Sequence, residues 1–150
     1  MQIETLLDDF FQNVPEIQDL FHHFCNEQNL DLSEDVHVIW EYGIMPCITC
    51  LLRYPDEFGT IADRVFQFIE DTLVAEQNMS AFWELSMMFC LYDQVEEIVQ
   101  QRAVRFMRPK TKRVWDEHCA FMKSSKLLQL AQLYSDEEMD AMGIQYEYLS

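Results

Sequence analysis

The chain has 150 residues, of which 49% are hydrophobic, and it carries a formal net charge of −17. A chain of this length is expected to form one domain over residues 1–150, and its core is large enough to fold without disulfides. Three glycines and four prolines are too few for the many turns of an all-β fold, so the composition favours helices. The longest apolar run without a charge, residues 43–52, is about half of what a membrane span needs.

The charge is distributed unevenly along the chain. Residues 1–101 contain twenty Asp or Glu and only two basic residues, whereas residues 102–126 contain eight basic residues. A field this negative repels nucleic acid and anionic lipid, and it attracts basic partners over a Debye length of about 8 Å. We therefore expect no nucleic-acid partner and no membrane partner, and we interpret the basic stretch as neutralising acidic helices nearby.

Apolar residues at helical spacing predict about eight short helices. The first three are expected at residues 3–11, at residues 15–28 and, after an acidic loop at residues 29–35, at residues 46–54. Residues 36–42 are rich in β-branched and aromatic side chains, which also suits a strand. Because no partner strand is evident, a short helix or extended segment is favoured there, broken by Gly43 and Pro46.

The stretch from Thr60 to Leu91 is predicted to form the core as two helices separated near residues 77–80. Thr60 and Asp63 have the spacing of a capping box at the start of the first helix. The second, from Phe82 to Leu91, is apolar on almost every side, which is typical of a buried helix. The predicted fold is therefore an all-α, single-domain bundle around this buried central helix.

The predicted pattern continues with helices at residues 95–106, at residues 109–122 and at residues 127–134, the last two separated by a weak point at residues 124–125. Ser135 then begins a segment with capping-box spacing, and Gly143 suits a C-terminal cap. Residues 145–150 are expected to form a frayed tail.

The cysteines number five, and most lie within apolar runs, which indicates reduced, buried thiols in a cytoplasmic protein. Cys47 and Cys50 form a CxxC pair near a predicted helix start, where a redox thiol would have a lowered pKa. If Cys47 and Cys50 bound zinc, two further ligands would be needed. They could come from His22, His23 and Cys25, or from His118 and Cys119. No βαβ context is evident, so inert thiols are favoured, with no metal and no cofactor.

No catalytic motif is readable: the sequence contains no Gly-rich phosphate loop, no HExxH and no GxSxG. We therefore expect a protein that is not an enzyme. Acidic and aromatic residues concentrate before the predicted core, and aromatic anchors with a polar rim are typical of interfaces. The predicted partner-binding residues are Asp31, Glu34, Asp35, Trp40, Glu41, Tyr42, Asp56 and Glu57. The alternative is that Trp40 and Tyr42 belong to the core and the acids are merely solvated.

A resemblance to a known family rests on four short motifs and their order along the chain. They are Phe10 to Ile17 (FFQNVPEI), Trp40 to Gly43 (WEYG), Phe66 to Asp71 (FQFIED) and Phe82 to Leu85 (FWEL). Over roughly residues 5–95 the chain resembles small, acidic, all-helical bacterial immunity proteins of polymorphic and contact-dependent toxin systems. The resemblance implies a cytoplasmic antitoxin that occludes the active site of one cognate toxin, so no catalytic residues carry over.

The expected partner is accordingly a toxin or effector protein with a basic surface, bound by a monomer or homodimer of this chain. Electrostatic steering would make such binding fast. The alternative is a secretion chaperone or adaptor, which would be a homodimer. A third reading is a metal or redox protein that uses the cysteines and histidines.

Overall fold

The computed structural model describes residues 3–76, 78–132 and 136–141. Within these ranges all regular structure is helical and no strand is present, so the predicted all-α fold is confirmed. Residues 1–115 and residues 116–150 form two compact units, and each is described by itself. That the whole chain is one domain stays a prediction. Among the described residues, no helix is both long enough and apolar enough to cross a membrane.

The first unit opens with two helices that each follow a 3-10 turn: Ile3–Thr5 leads into α1 (Leu6–Asn13), and Pro15–Ile17 leads into α2 (Gln18–Glu27). Asn29 ends α2 in a left-handed conformation with φ of 50°. The Leu30 N–H then donates to the Cys25 carbonyl at 2.9 Å, which is the bond of a Schellman motif. This motif turns the chain into the acidic loop.

Residues 36–53 are continuously helical, which excludes a strand at residues 36–42. They comprise α3 (Val36–Ile39), a π segment (Trp40–Ile44) and α4 (Met45–Arg53). Pro46 does not break this helix, although it lacks the N–H that would bond to the Tyr42 carbonyl. The Gln28 side chain donates to that carbonyl instead, at 2.5 Å.

α5 spans Pro55–Ala75, so the predicted start at Thr60 is wrong. Pro55 occupies the first turn, where its missing N–H costs nothing, and Asp56 and Glu57 follow it at the positive end of the helix dipole. The predicted capping box of Thr60 and Asp63 is wrong as well, because Thr60 lies inside the helix and not at its start, and Asp63 pairs with Arg108 at 2.7 Å.

The predicted central helix is part of a helical stretch that comprises α6 (Met79–Trp83), a second π segment (Glu84–Met88) and α7 (Phe89–Asp93). Trp83, Met87 and Met88 are buried, but Leu85 is 50% exposed and Phe89 is 36% exposed. The expectation that residues 82–91 are buried on every side is therefore wrong. The apolar composition of this segment gave no sign that one face of the helix is exposed to solvent.

Two aromatic rings lie at the centre of the first unit. Trp40 and Trp83 meet edge to face with ring centroids 4.6 Å apart, and Phe10 meets Trp40 in the same way at 4.9 Å. The Trp83 indole N–H donates to Thr72 Oγ1 at 2.7 Å. Because Trp40 and Trp83 belong to the two stretches that contain π segments, these stretches pack against each other here.

Two longer helices follow α7: α8 (Glu97–Phe106) and α9 (Pro109–Gln132). The start of α9 is held by Glu70 of α5, whose carboxylate accepts the backbone N–H groups of Lys110 and Thr111 at 3.0 and 2.8 Å. α9 runs without a break through residues 124–125, so the predicted division there is wrong.

The second unit comprises α9 from residue 116 onward and α10 (Asp136–Ala141). The predicted caps at Ser135 and Gly143 and the predicted tail at residues 145–150 lie outside the described residues.

Candidate partner-binding site

The acidic loop, residues 29–35, presents its three carboxylates to solvent. Asp31, Glu34 and Asp35 are all exposed. Asp31 Oδ1 accepts hydrogen bonds from the Ser33 N–H at 2.9 Å and the Ser33 hydroxyl at 2.8 Å. These bonds lower the pKa of Asp31, so this carboxyl group stays ionised and the loop has a defined turn.

Both ends of this loop are tied to the helical stretch that carries Glu41 and Tyr42. Before the loop, Gln28 donates to the Tyr42 carbonyl. After the loop, the Asp35 carbonyl accepts the N–H of Val38 at 2.9 Å and so begins α3. The acids of the loop are thus attached to the same piece of structure as the first π segment.

Glu41 and Tyr42 line a cleft of about 360 Å³, which we call the acidic cleft. Its other walls come from the end of α2, from α4, from α7 and from the connection between α7 and α8. The side chains that line it beside Glu41 and Tyr42 include Phe24, Gln28, Met45, Thr49, Cys50, Arg53, Cys90, Gln94 and Glu96.

Two carboxylates in this cleft have different surroundings. Glu96 is paired with Arg53 at 2.7 Å, in a pair whose side chains are about half exposed. Glu41 is half-buried, and no hydrogen bond or ion pair holds its carboxylate in the described parts of the chain. Burial, and to a lesser extent the charge of Glu41, raises the pKa of Cys90 to about 11. Tyr42 lies beside Glu41 and is 46% exposed.

The predicted site residues do not all come together. Trp40 is fully buried and belongs to the core, so it is not available as a surface anchor, which is the alternative that the sequence left open. Asp56 and Glu57 are exposed in the first turn of α5 and do not line the acidic cleft. Their role in binding a partner stays a prediction, as it does for Glu41, Tyr42 and the loop acids.

Sequence reasoning missed the other polar residues of the cleft. Arg53 and Glu96 are 43 positions apart, and Gln28 and Tyr42 are 14 apart. No periodicity or short motif records such pairs, because they form only when the helices pack. The available signal was Arg53 itself, which is one of two basic residues in the first 101.

The first thiol of the CxxC pair, Cys47, is buried in the core. Burial, followed by the neighbouring thiols, raises the pKa of Cys47 to about 12, whereas redox chemistry needs a lowered pKa. The Cys47 thiol donates to the Gly43 carbonyl at 3.3 Å within the core. Residues 3–76, 78–132 and 136–141 contain no group of three or more His, Cys, Asp or Glu that could hold a metal ion.

No protein-family model, no curated protein and no solved structure matches the chain. The function is therefore argued from the chemistry of the acidic cleft and the acidic loop.

Proposed function

We propose that the chain is a non-catalytic, protein-binding inhibitor, an immunity protein that acts in the cytoplasm by covering the active site of a cognate toxin. The observation that carries this proposal is the half-buried Glu41, which forms no ion pair in the described structure, although Arg53 of the same cleft is paired with Glu96, and which stands next to the half-exposed Tyr42. The partner would present a basic surface to the acidic cleft and the acidic loop.

Glu41 suits a Lys or Arg side chain from that partner. A cation inserted into the cleft would pair with a carboxylate that is half-buried and has no ion-pair partner in the described structure, and such a pair is less screened by solvent than a fully exposed one. Arginine fits best, because its planar guanidinium can bind the Glu41 carboxylate through two hydrogen bonds and stack on the Tyr42 ring. Glu41 and Tyr42 would then form the centre of the interface.

The acidic loop has a different part in this proposal. Asp31, Glu34 and Asp35 remain exposed and solvated, so they add little to the final affinity. They would instead speed the encounter with a basic partner, since exposed charges act mainly on the association rate.

The first test uses toxin rescue and binding. A protein captured by the tagged chain in its native host is purified, expressed alone to establish toxicity, and then co-expressed with the chain. Glu41→Gln should weaken binding at least about tenfold, mainly through faster dissociation, because it removes a desolvated charge pair. Asp8→Asn removes an equal charge from an exposed position of α1 and should leave affinity and rescue unchanged. A captured protein that is harmless, or equal affinities of the two variants, would count against the proposal.

The second test asks whether the acids of the acidic loop speed association with the partner through long-range electrostatic attraction. Replacing Asp31, Glu34 and Asp35 by Lys should slow association severalfold at low salt, and the difference should shrink as salt shortens the Debye length. Stopped-flow kinetics at two salt concentrations measures both effects. An association rate that does not respond to the replacement at low salt would remove the loop from the interface.

A secretion chaperone or adaptor is the second candidate, and one observation on α9 favours it. In the second unit this helix exposes four large apolar side chains, namely Phe121, Leu127, Leu128 and Leu130. A chaperone would use such exposed apolar side chains to form a homodimer or to hold a client helix. Light scattering of the chain and of Leu128→Lys decides this: a monomer in both cases contradicts the homodimer.

A further inference from the structure

We propose a second docking site, an apolar groove that receives the apolar face of a basic amphipathic helix from a protein partner. The groove has a volume of about 300 Å³ and is lined by Ile17, Leu20, Leu51, Tyr54, Phe58 and Ile61. Of the described residues, only Cys50 lines both this groove and the acidic cleft, so the proposal does not rest on the toxin-inhibitor function.

The turn between α4 and α5 builds one wall of the groove. The Tyr54 carbonyl accepts the N–H groups of Glu57 and Phe58 at 3.2 and 3.0 Å, and Pro55 starts the helix immediately after Tyr54. Tyr54 and Phe58 both line the groove, and these backbone bonds fix the turn that carries them.

The groove combines these exposed rings with a buried apolar floor. Tyr54 is 60% exposed and Phe58 is 36% exposed, whereas Ile17 and Leu51 beneath them are buried. Aromatic walls over an aliphatic floor suit the helix-in-groove mode, in which side chains at i, i+3 or i+4 and i+7 insert together. A volume at the low end of the range for ligand pockets fits such inserted side chains better than a large cofactor.

The charges at the rim select a basic helix. Asp56 and Glu57 lie between the two aromatic residues in sequence and are exposed. Asp19 is exposed next to Leu20, and Glu16 lines the groove while it pairs with Arg64. Among residues 3–76, 78–132 and 136–141, no Lys or Arg lines the groove. Carboxylates in these positions would attract Lys or Arg that flank the apolar face of a partner helix, and they would repel a fatty acid or an anionic lipid.

The test uses a fluorescent peptide of Leu and Lys, designed as an amphipathic helix, with the full chain at physiological salt. Its scrambled version has the same charge and should bind at least about tenfold more weakly, because it cannot present a single apolar face. A version with Glu in place of Lys should also bind at least about tenfold more weakly, because the rim repels it. Anisotropy gives the three affinities.

Matched variants locate the binding. Tyr54→Ala combined with Phe58→Ala should weaken binding of the amphipathic peptide about tenfold or more, because it removes the aromatic wall. Val74→Ala combined with Leu85→Ala removes exposed apolar side chains from α5 and from the second π segment, and it should have no effect. Circular dichroism checks that each variant is folded. Glu41→Gln should also leave peptide binding unchanged, so this proposal and the proposed function fail separately.

Several outcomes would overturn the proposal. Equal affinities for the amphipathic and scrambled peptides would show attraction by net charge alone. Displacement of the peptide by oleate, with no preference for Lys over Glu, would make the groove a lipid site. A homodimer that dissociates in the Tyr54 and Phe58 variant would show that a second copy of the chain occupies the groove.

Discussion

Gly43 is the residue at which α2 comes closest to the first π segment. A Cβ atom at this position would lie 2.6 Å from Cε2 of Phe21 and 3.0 Å from its Cδ2. The Phe21 ring cannot easily withdraw, because it is buried and packs against Phe11 with centroids 5.0 Å apart. Gly43 therefore serves close packing inside a continuous helical stretch, although from sequence it reads as a helix breaker.

We predict that Gly43→Ala lowers the free energy of unfolding by about 1–3 kcal/mol, because the added methyl group overpacks the core. This loss exceeds the gain of at most about 1 kcal/mol from replacing Gly by Ala in a helix. Urea denaturation measures the change. Gly59→Ala is the control: its Cβ would meet only Phe106 Cζ at 3.8 Å, so stability should rise by about 0.5–1 kcal/mol. Changes of the same sign would contradict this account.

Glu70 provides the N-terminal cap of α9 from another helix. Its buried carboxylate accepts the Lys110 N–H, the Thr111 N–H and the Thr111 hydroxyl, the last at 3.0 Å. These N–H groups lack partners within α9, and a negative charge at a helix start is also favoured by the dipole. One side chain of α5 thus determines where α9 begins, and no local sequence signal reveals it.

We predict that Glu70→Gln lowers the free energy of unfolding by about 1–3 kcal/mol, since it removes the charge and leaves one buried N–H poorly paired. Asp71→Asn changes the neighbouring exposed acid and should stay within about 0.5 kcal/mol of the original. Chemical denaturation compares the two. Amide exchange should also quicken at Lys110 and Thr111 in the Glu70 variant alone, and unchanged protection there would contradict the capping role.

The two π segments mark the limit of what periodicity can predict. The spacing of apolar residues correctly placed most helices, because core-facing positions repeat every three or four residues whether or not a turn is widened. Periodicity could not show that residues 40–44 are π-helical, nor that Gln28, just past the end of α2, donates to the Tyr42 carbonyl that Pro46 leaves without an N–H. The sequence placed Tyr42 and Glu41 in the candidate site, but only packing could assign Trp40 to the core.

The bond from Gln28 to the Tyr42 carbonyl yields a prediction for this helical stretch. Gln28→Ala should lower the free energy of unfolding by about 0.5–1.5 kcal/mol, the usual net value of one hydrogen bond. Pro46→Ala supplies an N–H that can bond to the same carbonyl, so Gln28→Ala should cost less in that background. A double-mutant cycle should give a coupling of at least about 0.5 kcal/mol. The same cycle with Gln67→Ala, whose side chain bonds to Asp71, should give none.

The chain as a whole contains far more carboxylates than cations. Several of its arginines are already engaged: Arg53 with Glu96, Arg64 with Glu16, and Arg108 with Asp63. Arg102 is engaged as well, because it donates to the Leu52 carbonyl at 2.8 Å and so caps the end of α4. Arg108, which belongs to the basic stretch, pairs with Asp63 of the acidic helix α5 and so agrees with the interpretation that this stretch neutralises acidic helices. Because 27 acids face only 10 Lys and Arg, mutual repulsion among the acids remains large.

Two opposing effects decide how salt changes stability. Salt screens the mutual repulsion that a net charge of −17 produces, which stabilises the folded state. It also weakens ion pairs such as those of Arg53, Arg64 and Arg108, but pairs this exposed contribute only about 0–1 kcal/mol each. Because the repulsion involves many more charges, we predict that the Tm rises as NaCl increases from about 0.01 M to about 0.5 M.

Differential scanning calorimetry over this salt range measures the effect, and Arg64→Gln provides a matched variant. Removing Arg64 breaks one ion pair and makes the net charge more negative, so the variant should have a lower Tm at low salt and a steeper rise with salt. Both curves should flatten towards about 0.5 M, where the Debye length is already shorter than most separations between exposed charges. A Tm that falls with added salt would mean that attractive ion pairs outweigh repulsion. In that case the acidic surface would be balanced internally and would have little long-range attraction to offer a basic partner.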